Sequence, residues 1–142
     1  QIRQGISVSL HIRRGDYANC PKTLAYHGLC EPEYYFGAIE YIRTHVPKFR
    51  LFAFSDDPQW VAGMLKSRYP EMVVVDHNQG DQSHNDMLLM SQCDHHIIAN
   101  SSFGWWGAWL NPDTNKIVIA PRKWFAHGPD TADLIPENWV RL

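Results

Sequence analysis

Five short runs of strand-forming residues, each running into a polar or charged cluster, limit what this chain can fold into. They read as strands over Ile6–Ile12, Phe49–Phe54, Met72–Val75, His96–Ala99 and Lys116–Ala120. Phe49–Phe54 is apolar except for Arg50, the pattern of a parallel strand covered on both faces. Helical stretches lie between the strands. One opens at Glu31-Pro32, stops before Pro47, and carries Tyr34, Tyr35, Ala38, Ile39 and Ile42 on one stripe. Others run from Pro58 to about Tyr69, from Asn85 to Gln92, and from a Ser101 or Ser102 cap to Leu110, where Asn111-Pro112 ends the helix. This alternation predicts an α/β fold: a Rossmann-like, mainly parallel sheet with helices on both faces. A chain of 142 residues is long enough for one such domain with a real core. The segment Arg13–Cys30 reads as an unusually long loop, residues 76–84 as a polar loop, and the tail after Pro121 as a loop or short helix.

The predicted strand ends hold the chemistry. Arg13, Arg14 and Asp16 follow the first strand, Ser55-Asp56-Asp57 the second, Asp76 the third, and Asn100-Ser101-Ser102 the fourth. In an open α/β sheet, ligands bind outside the carboxyl ends of the strands. Two adjacent guanidiniums suit a diphosphate, because their forks match phosphate oxygens and stay charged. The alternative is a surface turn closed by an Arg14–Asp16 ion pair. A helix starting at Ser101 and Ser102 could add free amides and a partial positive charge to a phosphate site, although a simple N-cap also explains Ser101. His11, at the same end of the sheet, fits either a core histidine or a ligand contact.

His11-x-Arg13-Arg14-x-Asp16-Tyr17 resembles the first motif of the α-1,2-fucosyltransferases of glycosyltransferase family 11. Asn100–Leu110 is similar to their later motif and Phe54–Asp57 to the block between, in order over about residues 6 to 121. The resemblance implies that residues 1–142 are a single donor-binding domain, one half of a two-lobed GT-B-type enzyme whose N-terminal lobe lies outside this sequence. It implies inverting transfer of L-fucose from GDP-fucose to the 2-hydroxyl of a galactose-like glycan acceptor. GDP-fucose is then a substrate, with no separate cofactor. By the same likeness Arg13 grips the diphosphate and Arg14 supports phosphate or fucose. Asp16 orients the arginines, while Asp56 and Asp57 shape the donor pocket; the base that deprotonates the acceptor is either Asp16 or a group of the missing lobe. Asp76 is the candidate guanine contact, and His11, Ser101 and Ser102 complete the donor-binding set. A non-catalytic nucleotide- or glycan-binding domain is the alternative. So is a fucosyltransferase of another linkage, since α-1,6 enzymes share the arginine motif.

Composition narrows the partners. A net charge of -2 and a pI near 6.5 give no general attraction to nucleic acid. The three cysteines are too few for a disulfide framework, although Cys20 and Cys30 bracket one loop and could pair. No run approaches the length of a membrane span. The setting expected is cytoplasmic or membrane-peripheral for a bacterial protein and the Golgi lumen for a eukaryotic one, with the cytoplasm preferred. Asp94-His95-His96 would alternate across a strand and cannot converge on one ion. H-E-x-x-H, Cys-x-x-Cys and Asp-x-Asp are absent, so the arginines and a helix dipole are expected to replace a metal. Phe103, Trp105, Trp106 and Trp109 share one helix, with Trp106, Trp109 and Leu110 at i, i+3, i+4 spacing. A packed face and a sugar-stacking platform both fit that pattern.

Overall fold

Along the first strand Val8, Leu10 and Ile12 alternate with Ser7, Ser9 and His11, and all six are buried. Such alternation usually marks a sheet with one wet face. Here the polar face is covered too, so its groups need partners. Ser7 Oγ donates to Asp94 Oδ2 at 2.7 Å, and Ser9 Oγ lies 2.8 Å from His96 Nδ1. His96 is enclosed, and its Nε2 accepts from Asn111 Nδ2 at 2.9 Å. That fixes the tautomer: Nδ1 carries the proton and donates to Ser9.

The computed structural model describes residues 2–78 and 80–142. Among them six strands form one sheet in the order β3-β2-β1-β4-β5-β6: β1 Ser7–Ile12, β2 Arg50–Ser55, β3 Val73–Val75, β4 His95–Ile97, β5 Val118–Ala120 and β6 Val140–Arg141. Every pairing is parallel. In β1 and β2, Ser7 stands opposite Arg50 and Ile12 opposite Ser55, so both strands end level. The order reverses between β1 and β4. That point is where open α/β sheets leave a crevice.

Helices cover both faces. On one, α3 (Pro32–His45) and α4 (Pro58–Leu65) bury Tyr35, Ala38, Ile39, Ile42, Val61 and Leu65 against Val8, Leu10, Ile12, Leu51 and Ala53. On the other, α5 (His84–Ser91) sets Met90 against Phe52, Phe54 and Val75. Beside it α6 (Ser102–Trp109) contributes Ala108 to a cluster with Ile98, Val118 and Ala120.

Three expectations need correction. The tail is not merely loop or helix: it adds β6, with Arg122 N bonded to Leu142 O and Leu142 N to Ala120 O. Two residues carry little local signal, so pairing alone makes the strand. The Arg13–Cys30 segment holds two short helices, α1 (Gly15–Asn19) and α2 (Pro21–His27). The aromatic stripe of α6 is not its packed face. Gly104, Gly107 and Ala108 are buried, while Trp106, Trp109 and Leu110 are about half exposed. Small residues let the helix sit close to its neighbours, and the Trp106 and Trp109 indoles are turned outward while Trp105 packs on the tail, its Nε1 donating to Leu134 O at 2.9 Å. All three cysteines are free thiols.

Candidate functional site

At the carboxyl ends of β1, β2 and β3 lies a cleft of about 430 Å³, within the range of small-molecule sites. His11, Arg13, Asp56 and Asp76 line it, joined by Phe54, Val75, Asn78, Asp86 and Phe103. Four residues expected from sequence therefore share one cleft. Arg14, Asp16, Asp57, Ser101 and Ser102 lie outside this lining, and each has a definite place.

Arg13 is held from two sides. Its Nη2 is 2.8 Å from Asp16 Oδ1 and its Nε is 3.3 Å from Asp56 Oδ2. The Nε is buried and forms the ion pair without meeting hydrogen-bond geometry. Asp56 also accepts from the backbone N of Arg14 at 2.9 Å, so one carboxylate fixes the turn and the first guanidinium together. This needs Gly15, because a Cβ there would stand 2.5 Å from Asp56 Oδ2. Arg14 turns the other way. Its guanidinium stacks 4.0 Å above the Trp60 ring, and its Nε is 3.7 Å from Asp57 Oδ2. The turn is not closed by an Arg14–Asp16 pair, since Asp16 engages Arg13. Asp57 Oδ1 in addition accepts from Trp60 N at 3.1 Å, capping α4.

His11 is both a core residue and a wall of the cleft. It is 4% exposed, and its Nδ1 is buried with no hydrogen-bond partner among the described residues. Burial above all, helped by the Arg13 charge, pushes its pKa down to about 3, so the ring is neutral. The ring lies against α6, where a Cβ on Gly104 would come within 2.5 Å of Nδ1. Ser101 is buried and its hydroxyl caps α6 by accepting from Phe103 N at 3.3 Å, while Ser102 is exposed at the helix start.

Sequence reasoning missed the floor of the cleft. Asn78 Nδ2 donates to Asp86 Oδ1 at 2.6 Å, across the polar loop that begins at Asp76. Asp86 reads as an ordinary first-turn acidic residue of a helix, and nothing local marks its partner. Asn100, expected at the end of the fourth strand but given no role of its own, is 2% exposed just after β4. Its Nδ2 donates to His27 O at 2.9 Å and to Trp124 O at 3.1 Å, and its Oδ1 accepts from Cys30 Sγ at 3.5 Å. Asn100 thus ties the Arg13–Cys30 segment and the tail to the sheet edge. Its place in the Asn-Ser-Ser motif was the available signal. His95 and His96 make separate contacts, His95 Nδ1 accepting from Ile117 N at 3.1 Å. Among the described residues no group of three His, Cys, Asp or Glu could hold a metal ion, and no helix is long and apolar enough to cross a membrane.

The all-parallel strand order and a clamped arginine at a cleft beside the strands' carboxyl ends define a Rossmann-like α/β domain. More narrowly, the chain belongs to glycosyl transferase family 11, whose model matches residues 1–142. It is 43% identical over 136 residues to the O-antigen biosynthesis glycosyltransferase WbnK of Escherichia coli, covering 96% of this chain and 44% of that protein. It is 42% identical to an alpha-1,2-colitosyltransferase of Escherichia coli, covering 99% of this chain and 49% of the relative. A galactoside 2-alpha-L-fucosyltransferase of Bos taurus, SEC1, is 31% identical over 76% of this chain and 29% of its own length. The chain spans under half the length of these relatives.

Proposed function

We propose that this chain is the donor-binding domain of an inverting α-1,2-fucosyltransferase that takes L-fucose from GDP-fucose to the 2-hydroxyl of a galactose-like acceptor. The observation that carries the reading is Arg13, clamped between Asp16 and Asp56 at the rim of a cleft. A guanidinium held in advance costs no reorganisation when charge builds on a leaving diphosphate. His11 lines the same cleft as a neutral ring, and Asp76 is the residue we assign to the guanine. Asp16 is committed to Arg13, so we assign it a positioning role and leave the base that deprotonates the acceptor to the other lobe of a two-lobed enzyme. Ser102 and the start of α6 complete the donor side.

The 42% identity to an alpha-1,2-colitosyltransferase favours a second reading, in which a colitosyl donor replaces the fucosyl one with the same linkage. Both readings share the arginine grip and differ only at the sugar. The test is calorimetry of residues 1–142 and of the full-length protein with GDP, GDP-fucose, GDP-colitose and GDP-mannose. The fragment should bind GDP and transfer nothing, and the full-length protein should favour one 6-deoxy sugar donor over GDP-mannose. Equal binding of all four, or turnover by the fragment alone, would overturn the reading.

A further inference from the structure

The segment that follows the arginine turn builds an aromatic wall. The Arg13 guanidinium lies 5.4 Å from the Tyr17 ring centre, and Tyr17 stacks on His27 at 4.5 Å with the planes 25° apart. Tyr26 meets His27 edge-on at 5.0 Å, and Phe125 closes the group at 5.1 Å from Tyr26 and 5.5 Å from His27. The backbone beneath is pinned on two sides. Asn100 takes the His27 carbonyl, and Ala126 N and His127 N both donate to Tyr26 O.

Packing accounts for Phe125 against His27, because it joins the tail to α2. It does not account for the rest. Tyr26 is 45% exposed and Leu24, on the same short helix, is 39% exposed, so this helix turns apolar surface outward. The His27 imidazole makes no hydrogen bond among the described residues, and its Nδ1 is buried without a partner. A rigid aromatic surface beside an unused imidazole suits a ligand with an apolar face and hydroxyls at its edge. A pyranose is such a ligand: its C–H face packs on rings and its hydroxyls need donors and acceptors. The wall begins one ring away from Arg13, on the sheet edge where the donor diphosphate is assigned.

We infer that Tyr26, His27 and Tyr17 form the acceptor-sugar subsite, with Tyr26 stacking on the pyranose and His27 bonding a hydroxyl through Nε2, the ring nitrogen that is not enclosed. The inference rests on the donor reading above. The test uses full-length protein carrying Tyr26→Ala, Tyr26→Phe, His27→Ala or His27→Gln. GDP affinity is read by calorimetry, and KM and kcat for methyl β-galactopyranoside are measured with GDP-fucose at saturation. Tyr26→Ala should raise the acceptor KM by roughly threefold to tenfold, the range of one aromatic stacking contact, and leave GDP affinity unchanged. Tyr26→Phe should behave as wild type, and His27→Gln should keep more of the acceptor affinity than His27→Ala. An unchanged acceptor KM in Tyr26→Ala and His27→Ala, with GDP binding intact, overturns the subsite and leaves the donor reading standing. GDP affinity falling in step with acceptor affinity also overturns it, since the wall then belongs to the donor. A wild type that binds neither GDP nor the galactoside overturns the donor reading and this subsite together.

Discussion

Asn78 Nδ2 donates to Asp86 Oδ1 at 2.6 Å, and this contact bridges the loop carrying the cleft's third-strand face. Burial raises the Asp86 carboxyl above its ordinary value of 3.8, and the Asn78 bond and His77 draw it partly back. A carboxyl raised in the folded state supports the fold most below its unfolded pKa, and that support is lost as pH rises through the folded value. Removing Asn78 should enlarge the loss where the group is charged. Asn78→Ala should therefore cost about 1.5 kcal/mol at neutral pH, the value of a hydrogen bond to a charged group in a partly wet site. The difference from wild type should shrink as pH falls toward 3.8. Urea denaturation across that interval measures it, and a constant difference would show that Asn78 only packs.

Arg13 touches two carboxylates through different nitrogens, which an ammonium cannot copy. In the full-length protein, Arg13→Ala should weaken GDP binding by ~1.5–3 kcal/mol. Transfer should fall further, by about a hundredfold or more, because the contact strengthens as the diphosphate leaves. Arg13→Lys should not restore turnover. Calorimetry and initial rates, with circular dichroism as the fold control, make the comparison. Wild-type rates in the Lys variant would reduce Arg13 to a point charge and move attention to Arg14.

Gly104→Ala sets two effects against each other. Alanine inside a helix is worth about 1 kcal/mol over glycine. Its methyl group, however, would stand 2.5 Å from His11 Nδ1 and 2.9 Å from Cγ, the root of a buried ring that cannot swing aside. Overpacking of this kind costs about 1–3 kcal/mol, so the net change should be destabilising or neutral. Whatever relief occurs must push His11 toward the cleft. GDP affinity should fall even if the denaturation midpoint barely moves. A stabilised variant with unchanged GDP binding would mean that α6 can slide away from β1.

Acid should unfold this domain through its histidines. Burial pushes His11 and His96 down to about 3, while each unfolded ring titrates near 6.5. A depressed base supports the fold above its unfolded pKa, and that support is lost as pH falls through the window down to the folded value. Each ring should contribute a slope of about 1.4 kcal/mol per pH unit inside that window. His96→Gln, which keeps a side-chain amide between Ser9 and Asn111, should lower stability at neutral pH and flatten the slope. Denaturation midpoints followed from pH 7 downward give both quantities. An unchanged slope would place the proton uptake elsewhere.

Periodicity settled much of the molecule. The apolar run Leu51–Phe54, the striped α3, and the proline and serine punctuation are signals between residues a few positions apart, and each is legible in the sequence. Their alternation implied a parallel sheet, and that sheet gathers Arg13, Ser55, Asp76 and Asn100 at one edge. Which of those groups face the same cleft was not a local matter. Arg14 N meets Asp56 across 42 positions and Ser9 meets His96 across 87, and both contacts depend on strand register. Register also decided that Asp56 clamps the arginine turn while its neighbour Asp57 caps a helix, although the two carboxylates are chemically alike. It turned the Trp106 and Trp109 indoles of α6 outward, because glycines met His11 and Met90 on the inner side. Pattern along the chain determined where strands, helices and charged turns fall, and packing between distant segments determined which polar groups are partnered, buried or left open for a ligand.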